Sequence, residues 1–297
     1  MKGDKRTAYL LLILLAIIWG SSFILMKRGL DVYTPFQIGA IRMLTAMLSL
    51  LPFALTKIKT IEPTRWKYIA LSGLTGNGIP SVLFPLAETQ INSALAGMIN
   101  SLTPVFTFIL GMVFFKMKGS ANKFAGLVLG LFGALLFIAG GSKGLGDFSP
   151  YAFYVVLATV CYAISVNTIR THLLGIDPVL NTSLTLIFAG VPLGVYLFTT
   201  DFITRTQTTP GAGFSLMCII VLAIFGTTIS TILFNNLIRS GGALVASSVT
   251  YLIPVVALIW GLADGEKPAS LHYIGFVLIL TGVYLISRTQ ASKEKSG

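Results

Sequence analysis

Arg42 has the most chemistry to offer, because its guanidinium stands about two turns inside a long apolar stretch that begins at Pro35. On insertion scales an arginine at a helix centre costs ~2.5–3.5 kcal/mol in a membrane, so this side chain must face protein or water. Its planar fork of donors suits the carboxylate or other anionic group of a small molecule. The same fork suits a structural clamp onto backbone carbonyls, or an ion pair with Glu88 at the end of a later apolar stretch. A second group is neutral and polar. Asn77 sits among Gly76, Gly78, Pro80 and Pro85, a density of helix breakers that kinks or unwinds a helix and frees its carbonyls. Thr227 follows Gly226 in a similar polar, glycine-bearing stretch, and Asn100 and Ser101 precede Pro104 as Thr250 and Tyr251 precede Pro254. These residues are read as lining a binding cavity, with Pro80, Pro104 and Pro254 bending the helices that carry them. Trp19, with Ser22 close behind, lies too deep in its apolar run to be a simple interface anchor, and serves either as a cavity wall or as core packing.

This set binds and does not catalyse. Clustered carboxylates, a nucleophile with a base, and a G-x-x-x-x-G-K-[ST] loop are not found, and His172 and His272 are too far apart in sequence for a metal motif. No cofactor and no metal are expected. Cys161 and Cys218 both lie in apolar runs and read as buried thiols.

The elements that position these residues follow from composition. Of 297 residues 55% are hydrophobic and 10% charged, against about 25% charged in a soluble domain. Apolar runs of about 20 residues match the ~30 Å hydrocarbon core of a bilayer. The expected spans are 7–27, 34–55, 66–87, 92–115, 122–141, 150–170, 178–199, 214–236, 242–262 and 270–288, giving an all-α integral membrane protein. The net charge of +11 is distributed between spans and at the termini, which points to the membrane surface and not to nucleic acid. With the N-terminus cytoplasmic, fifteen Lys and Arg fall on the cytoplasmic side and five on the other, so both ends are placed in the cytoplasm. Connections are too short for a soluble catalytic domain.

The chain also repeats itself. At an offset of 150 residues Pro104 falls on Pro254, Gly111 on Gly261, Gly76 on Gly226, and Leu83-Phe84 on Leu233-Phe234. Five spans per copy force the second copy to enter the membrane upside down, so residues 1–146 and 147–297 are expected as inverted five-helix repeats around a central cavity. Gly126, Gly130 and Gly133 form one stripe of the fifth span and read as a close helix contact.

Several stretches resemble the EamA-type transporters of the drug/metabolite transporter superfamily over essentially the whole chain. Trp19-Gly20-Ser21-Ser22-Phe23 is similar to the family's opening W-G-x-x-F pattern, Arg42 follows Pro35 as in many members, and Ser101-Leu102-Thr103-Pro104-Val105-Phe106-Thr107 resembles its most recognisable stretch. That stretch usually ends in Glu; here the position is Lys116, while the second copy keeps Glu266. The resemblance implies two five-helix bundles and export of amino acids, other metabolites or drugs from a prokaryotic inner membrane. A neutral or zwitterionic cargo is favoured, moved down its own gradient or by proton exchange. The alternatives are a membrane-embedded enzyme acting on lipid or prenyl substrates, which lacks its catalytic constellation, and a nucleotide-sugar or sugar-phosphate antiporter, which calls for more cavity cations than Arg42 and Lys27.

Overall fold

The computed structural model describes residues 5–115, 121–139, 149–237, 249–267 and 270–293, and these are helical apart from short turns. Helix starts follow local chemistry. Thr34 opens α2 (Pro35–Lys57) with a capping box: its Oγ1 accepts from the Gln37 N–H at 3.3 Å, the Gln37 side chain accepts from the Thr34 N–H at 3.0 Å, and Pro35 stands in the first turn. Asn92 opens α5 (Ser93–Asn100) by accepting from the Leu95 N–H at 2.7 Å, and Asp177 opens α9 (Pro178–Phe198) by accepting from the Val179 and Leu180 N–H groups.

The remaining elements are α1 (Lys5–Leu30), α3 (Trp66–Gly73), α4 (Ile79–Glu88), α6 (Thr103–Phe114), α7 (Ala121–Ala139), α8 (Ala152–Thr168), α10 (Phe202–Thr208), α11 (Ala212–Ala223), α12 (230–237), α13 (Val249–Ala263) and α14 (Ser270–Lys293). α10, a short helix in a connection, was not expected. Three joints are wound as π-helix: Leu74–Gly78 between α3 and α4, Ile169–Leu173 after α8, and Ile224–Ile229 between α11 and α12. The first and third begin 150 residues apart, at the offset that aligns Gly76 with Gly226. Pro80 follows the first π joint directly, and Pro104 follows the break at Ser101–Leu102 between α5 and α6. Pro254, by contrast, stands inside α13 with no interruption of the helix.

Among the described residues seven stretches have the length and hydropathy to cross a membrane: Leu10–Leu30, Pro35–Thr60, Pro63–Glu88, Ser93–Phe114, Ala152–Leu173, Pro178–Phe198 and Ala212–Leu237. Shorter apolar helices at Phe124–Gly133, Leu252–Ala263 and Tyr273–Gly282 fall where the fifth, ninth and tenth spans are expected; residues 242–248 of the ninth lie outside the described residues. The outward faces carry Val113, Phe114, Val195 and Phe198, all more than 60% exposed, a surface compatible with hydrocarbon and not with water.

Within the bundle α1 packs on α13 and α11, α8 on α4 and α6, α2 on α9, α5 on α13, and α7 on α14. The α7–α14 contact is made through glycine, where a Cβ on Gly133 would come within 2.9 Å of Ile279 and one on Gly282 would strike the Gly126 carbonyl. One end of the bundle, the Glu88 end, holds the α1–α2 turn and the ends of α4 and α13. The opposite, Lys57 end holds the C-terminus of α2 and the start of α9.

Candidate functional site

Between the helices lies a cavity of about 170 Å³ whose walls come from both halves of the sequence. Arg42 is 9% exposed and turns its Nε to the Thr227 Oγ1 at 2.7 Å. Thr227 is on the third π joint, and its hydroxyl reaches the carbonyl five residues back, Leu222, as the wider register requires. The guanidinium forms no ion pair among the described residues. The expected Arg42–Glu88 pair is absent: Glu88 is buried at the last residue of α4 with both carboxyl oxygens unpartnered among the described residues. Arg42 stands eight residues beyond the Thr34 cap, about 12 Å deeper at 1.5 Å per residue, which separates the two groups in depth.

Trp19 is both wall and packing. Its Nε1–H donates to the Ser230 Oγ at 2.9 Å and to the Gly226 carbonyl at 3.2 Å, while its ring meets Phe234 edge-on at 5.1 Å. Across the cavity Tyr162 stacks on Phe84 at 5.9 Å. Phe84 and Phe234 stand 150 residues apart, so each half contributes an α4- or α12-borne phenylalanine against an aromatic of the other half. The glycines of the two π joints also have matching neighbours: a Cβ on Gly76 would run into Ser165, and one on Gly226 would lie 2.9 Å from the Ser22 Oγ. Ser22, Asn77 and Asn100 line the cavity as expected. Ser101 does not; it is 1% exposed and its hydroxyl donates to the Met98 carbonyl at 2.5 Å, satisfying the backbone at the α5–α6 break. The side chains of Thr250 and Tyr251 lie outside the described residues.

Ser72, Tyr162, Asn181, Thr185, Thr231 and Asn235 also line the cavity, beyond the residues singled out from the sequence. The available signal was weak: Asn181 and Thr185 sit four apart, on one helix face within an apolar run.

At the Glu88 end the two halves are tied by charge. Lys27 pairs with Asp264 at 2.6 Å and Glu266 at 2.8 Å, and Arg28 pairs with Asp264. Glu266 also accepts from the Ser93 and Ala94 N–H groups at the start of α5, at 3.1 and 3.0 Å, where the helix dipole favours an anion. Gly261 leaves the space that Glu266 occupies. The Asp264 carboxyl is held below its usual range, first by its hydrogen bond with Lys27 and further by the charges of Lys27 and Arg28, against some desolvation. Nearby, Gln37 donates to Asp201 at 2.8 Å, and Arg205 donates to both Asp201 and the Val32 carbonyl.

The described residues thus form a helical bundle with an apolar exterior and an internal cavity holding one arginine. The family model described as the EamA-like transporter family matches this chain twice, over residues 6–139 and again over 149–288. The chain belongs to the EamA-like transporter family. Its relatives include the uncharacterized inner membrane transporter YedA of Escherichia coli K12, 27% identical across 92% of this chain and 88% of that one. An uncharacterized transporter of Archaeoglobus fulgidus is 25% identical across 94% and 98%, and the uncharacterized transporter YdfC of Bacillus subtilis is 26% identical across 90% and 86%. A solved crystal structure shares the fold with a TM-score of 0.62 and 16% identity, covering 98% of this chain and 99% of the other. This EamA-like chain is therefore an integral membrane protein with a role in transport.

Proposed function

We propose that this EamA-like protein is a secondary carrier that exports small neutral or zwitterionic metabolites, amino acids above all, or drug-like compounds. The observation that carries the reading is Arg42: a buried cation on the wall of the cavity, with its Nε held by Thr227 and no carboxylate among the described residues to neutralise it. A buried charge without a partner is costly, and a cargo carboxylate supplies the missing partner. Among the described lining residues Arg42 is the sole Lys or Arg, which favours a cargo with one anionic group over a nucleotide sugar or sugar phosphate.

In this reading residues 1–146 and 147–297 are inverted five-helix repeats in a ten-span bundle, with both termini cytoplasmic and the Glu88 end outside. Exchanging each helix for its counterpart turns the α1–α13 contact into α8–α6, and α1–α11 into α8–α3, while α2–α9 and α7–α14 map onto themselves. That exchange of partners is what an in-plane twofold relation demands, and it supports alternating access. The ionic tie at Lys27, Asp264 and Glu266 then closes the outer end, with the cavity reached from the cytoplasm, and it parts when the carrier turns outward. Either the cargo gradient or proton exchange energises the cycle.

The test is flux. Purified protein in liposomes loaded with labelled amino acids should show saturable exchange, and Arg42→Ala should remove it while the protein remains folded. Undiminished exchange in Arg42→Ala would remove the anchor on which this reading rests.

A further inference from the structure

Two buried amides in the cavity wall have carbonyl oxygens with nothing to bind. Asn181, on α9, is 3% exposed and Asn235, on α12, is 6% exposed; both line the cavity, and the Oδ1 of each lacks a hydrogen-bond partner among the described residues. The orientation of Asn235 is fixed by its neighbour. Thr182 spends its own hydroxyl proton on the Pro178 carbonyl at 2.8 Å, so its oxygen must accept, and the group facing it at 3.0 Å is the Asn235 NH₂. That leaves the Asn235 carbonyl unmatched. Two sealed acceptors on one wall are a cost of about 1–3 kcal/mol each unless a donor arrives.

We infer that Asn181 and Asn235 form a second cargo subsite, which takes an N–H donor from the end of the cargo distant from its carboxylate. The inference rests on Arg42 being the carboxylate anchor. Asn235 lies eight residues beyond Thr227 along the same helical rod, about 12 Å at 1.5 Å per residue. Subtracting a hydrogen bond of about 2.9 Å at each end leaves roughly 6 Å between the cargo's carboxylate oxygen and its donor nitrogen. The α-ammonium of an amino acid is too close to its own carboxylate to span that gap; a side-chain amide about five bonds away does. The wall offers neutral acceptors, which suits a neutral amide donor. Because asparagine χ2 is a broad torsion, a partial rotation brings each carbonyl toward the cavity when the donor enters, and at Asn235 the new bond offsets any lengthening of the NH₂ contact with Thr182. The cargo class is therefore a zwitterionic amino acid of glutamine-like length ending in N–H donors, and Asn181 and Asn235 set the preference against apolar side chains of the same size.

The experiment measures counterflow of labelled glutamine into proteoliposomes, with competition by unlabelled glutamine, norleucine and glutamine dimethylated on its amide nitrogen. The dimethyl compound keeps the carboxylate and loses both distal donors. On the intact protein glutamine should compete at least tenfold better than either analogue, and Asn235→Leu should bring that ratio close to one. Equal competition by all three on the intact protein overturns the subsite while leaving the carrier reading in place. Absence of glutamine counterflow in a folded protein that exchanges other labelled amino acids likewise overturns the subsite, and absence of exchange with every amino acid tested overturns Arg42 as the carboxylate anchor of the carrier reading. Should Asn235→Leu fail to fold, the analogue ratio on the intact protein still decides.

Discussion

At the scale of single residues the cavity depends on how each polar group is satisfied. Arg42→Lys keeps the charge but cannot hold Thr227 through Nε and present a planar fork at once. A charge-assisted hydrogen bond is worth about 1.5–3 kcal/mol, so exchange in this variant should fall roughly 10- to 100-fold with little change in thermal midpoint; a midpoint that collapses in parallel would make Arg42 a structural residue. Asp264 gives a dependence on pH. Its carboxyl is held below its usual range in the folded protein, so the stability it confers is fully present above the unfolded value near 3.9 and is lost as pH falls through the lower folded value. Melting in detergent should therefore weaken progressively below about pH 4, and Asp264→Asn should flatten that acid limb. Both Arg42 and Thr227 were legible in the sequence as polar residues in apolar runs. Their contact was not, because no sequence pattern says which face of α2 meets the π joint after α11, and the same gap led to the Arg42–Glu88 expectation.

At the scale of elements, the two π joints show what the helix breakers accomplish. The offset of 150 residues was readable from Gly76 and Gly226, and the polar, glycine-bearing character of both stretches pointed to the cavity. The π form itself was not readable, because the wider register depends on packing between the halves, where Ser165 and Ser22 stand in the space a Cβ on Gly76 or Gly226 would need. Gly76→Ala tests this packing: a methyl there meets only Ser165 among close neighbours, so the variant should be destabilised by about 1–3 kcal/mol. Ser165→Gly combined with it should recover part of that loss, giving a coupling energy of about 1 kcal/mol in a double-mutant cycle followed by thermal unfolding. Simple additivity would show that the two helices do not press on each other there. At the Glu88 end, Glu266→Gln removes the charge that Lys27 and the α5 N-terminus share. A cysteine introduced at Asn100 should then be alkylated faster by a membrane-impermeant reagent added outside; no change in rate would mean that the tie does not hold that end shut.

At the scale of the whole molecule, composition alone indicated an all-helical membrane protein, because a chain with so few charges cannot cover itself in water. The boundary at residue 146 came from the repeat, and the second half was expected to enter inverted. Because α1 packs on α13, α2 on α9 and α7 on α14, most of the cohesion runs between the halves. A protease site placed after residue 146 and cut in detergent should leave two fragments that co-elute in size-exclusion chromatography; separate elution would point to halves that fold around their own interiors. The seam between α7 and α14 has a further consequence. Where glycines let two backbones touch, neither rod slides along the other without lifting its partner over the ridge at Ile279 and the Gly126 carbonyl. In the alternating-access reading proposed above, this contact would confine relative motion of the halves to rolling about the α7–α14 line, with α7 and α14 as the axle and the swing left to α1, α4, α8 and α11.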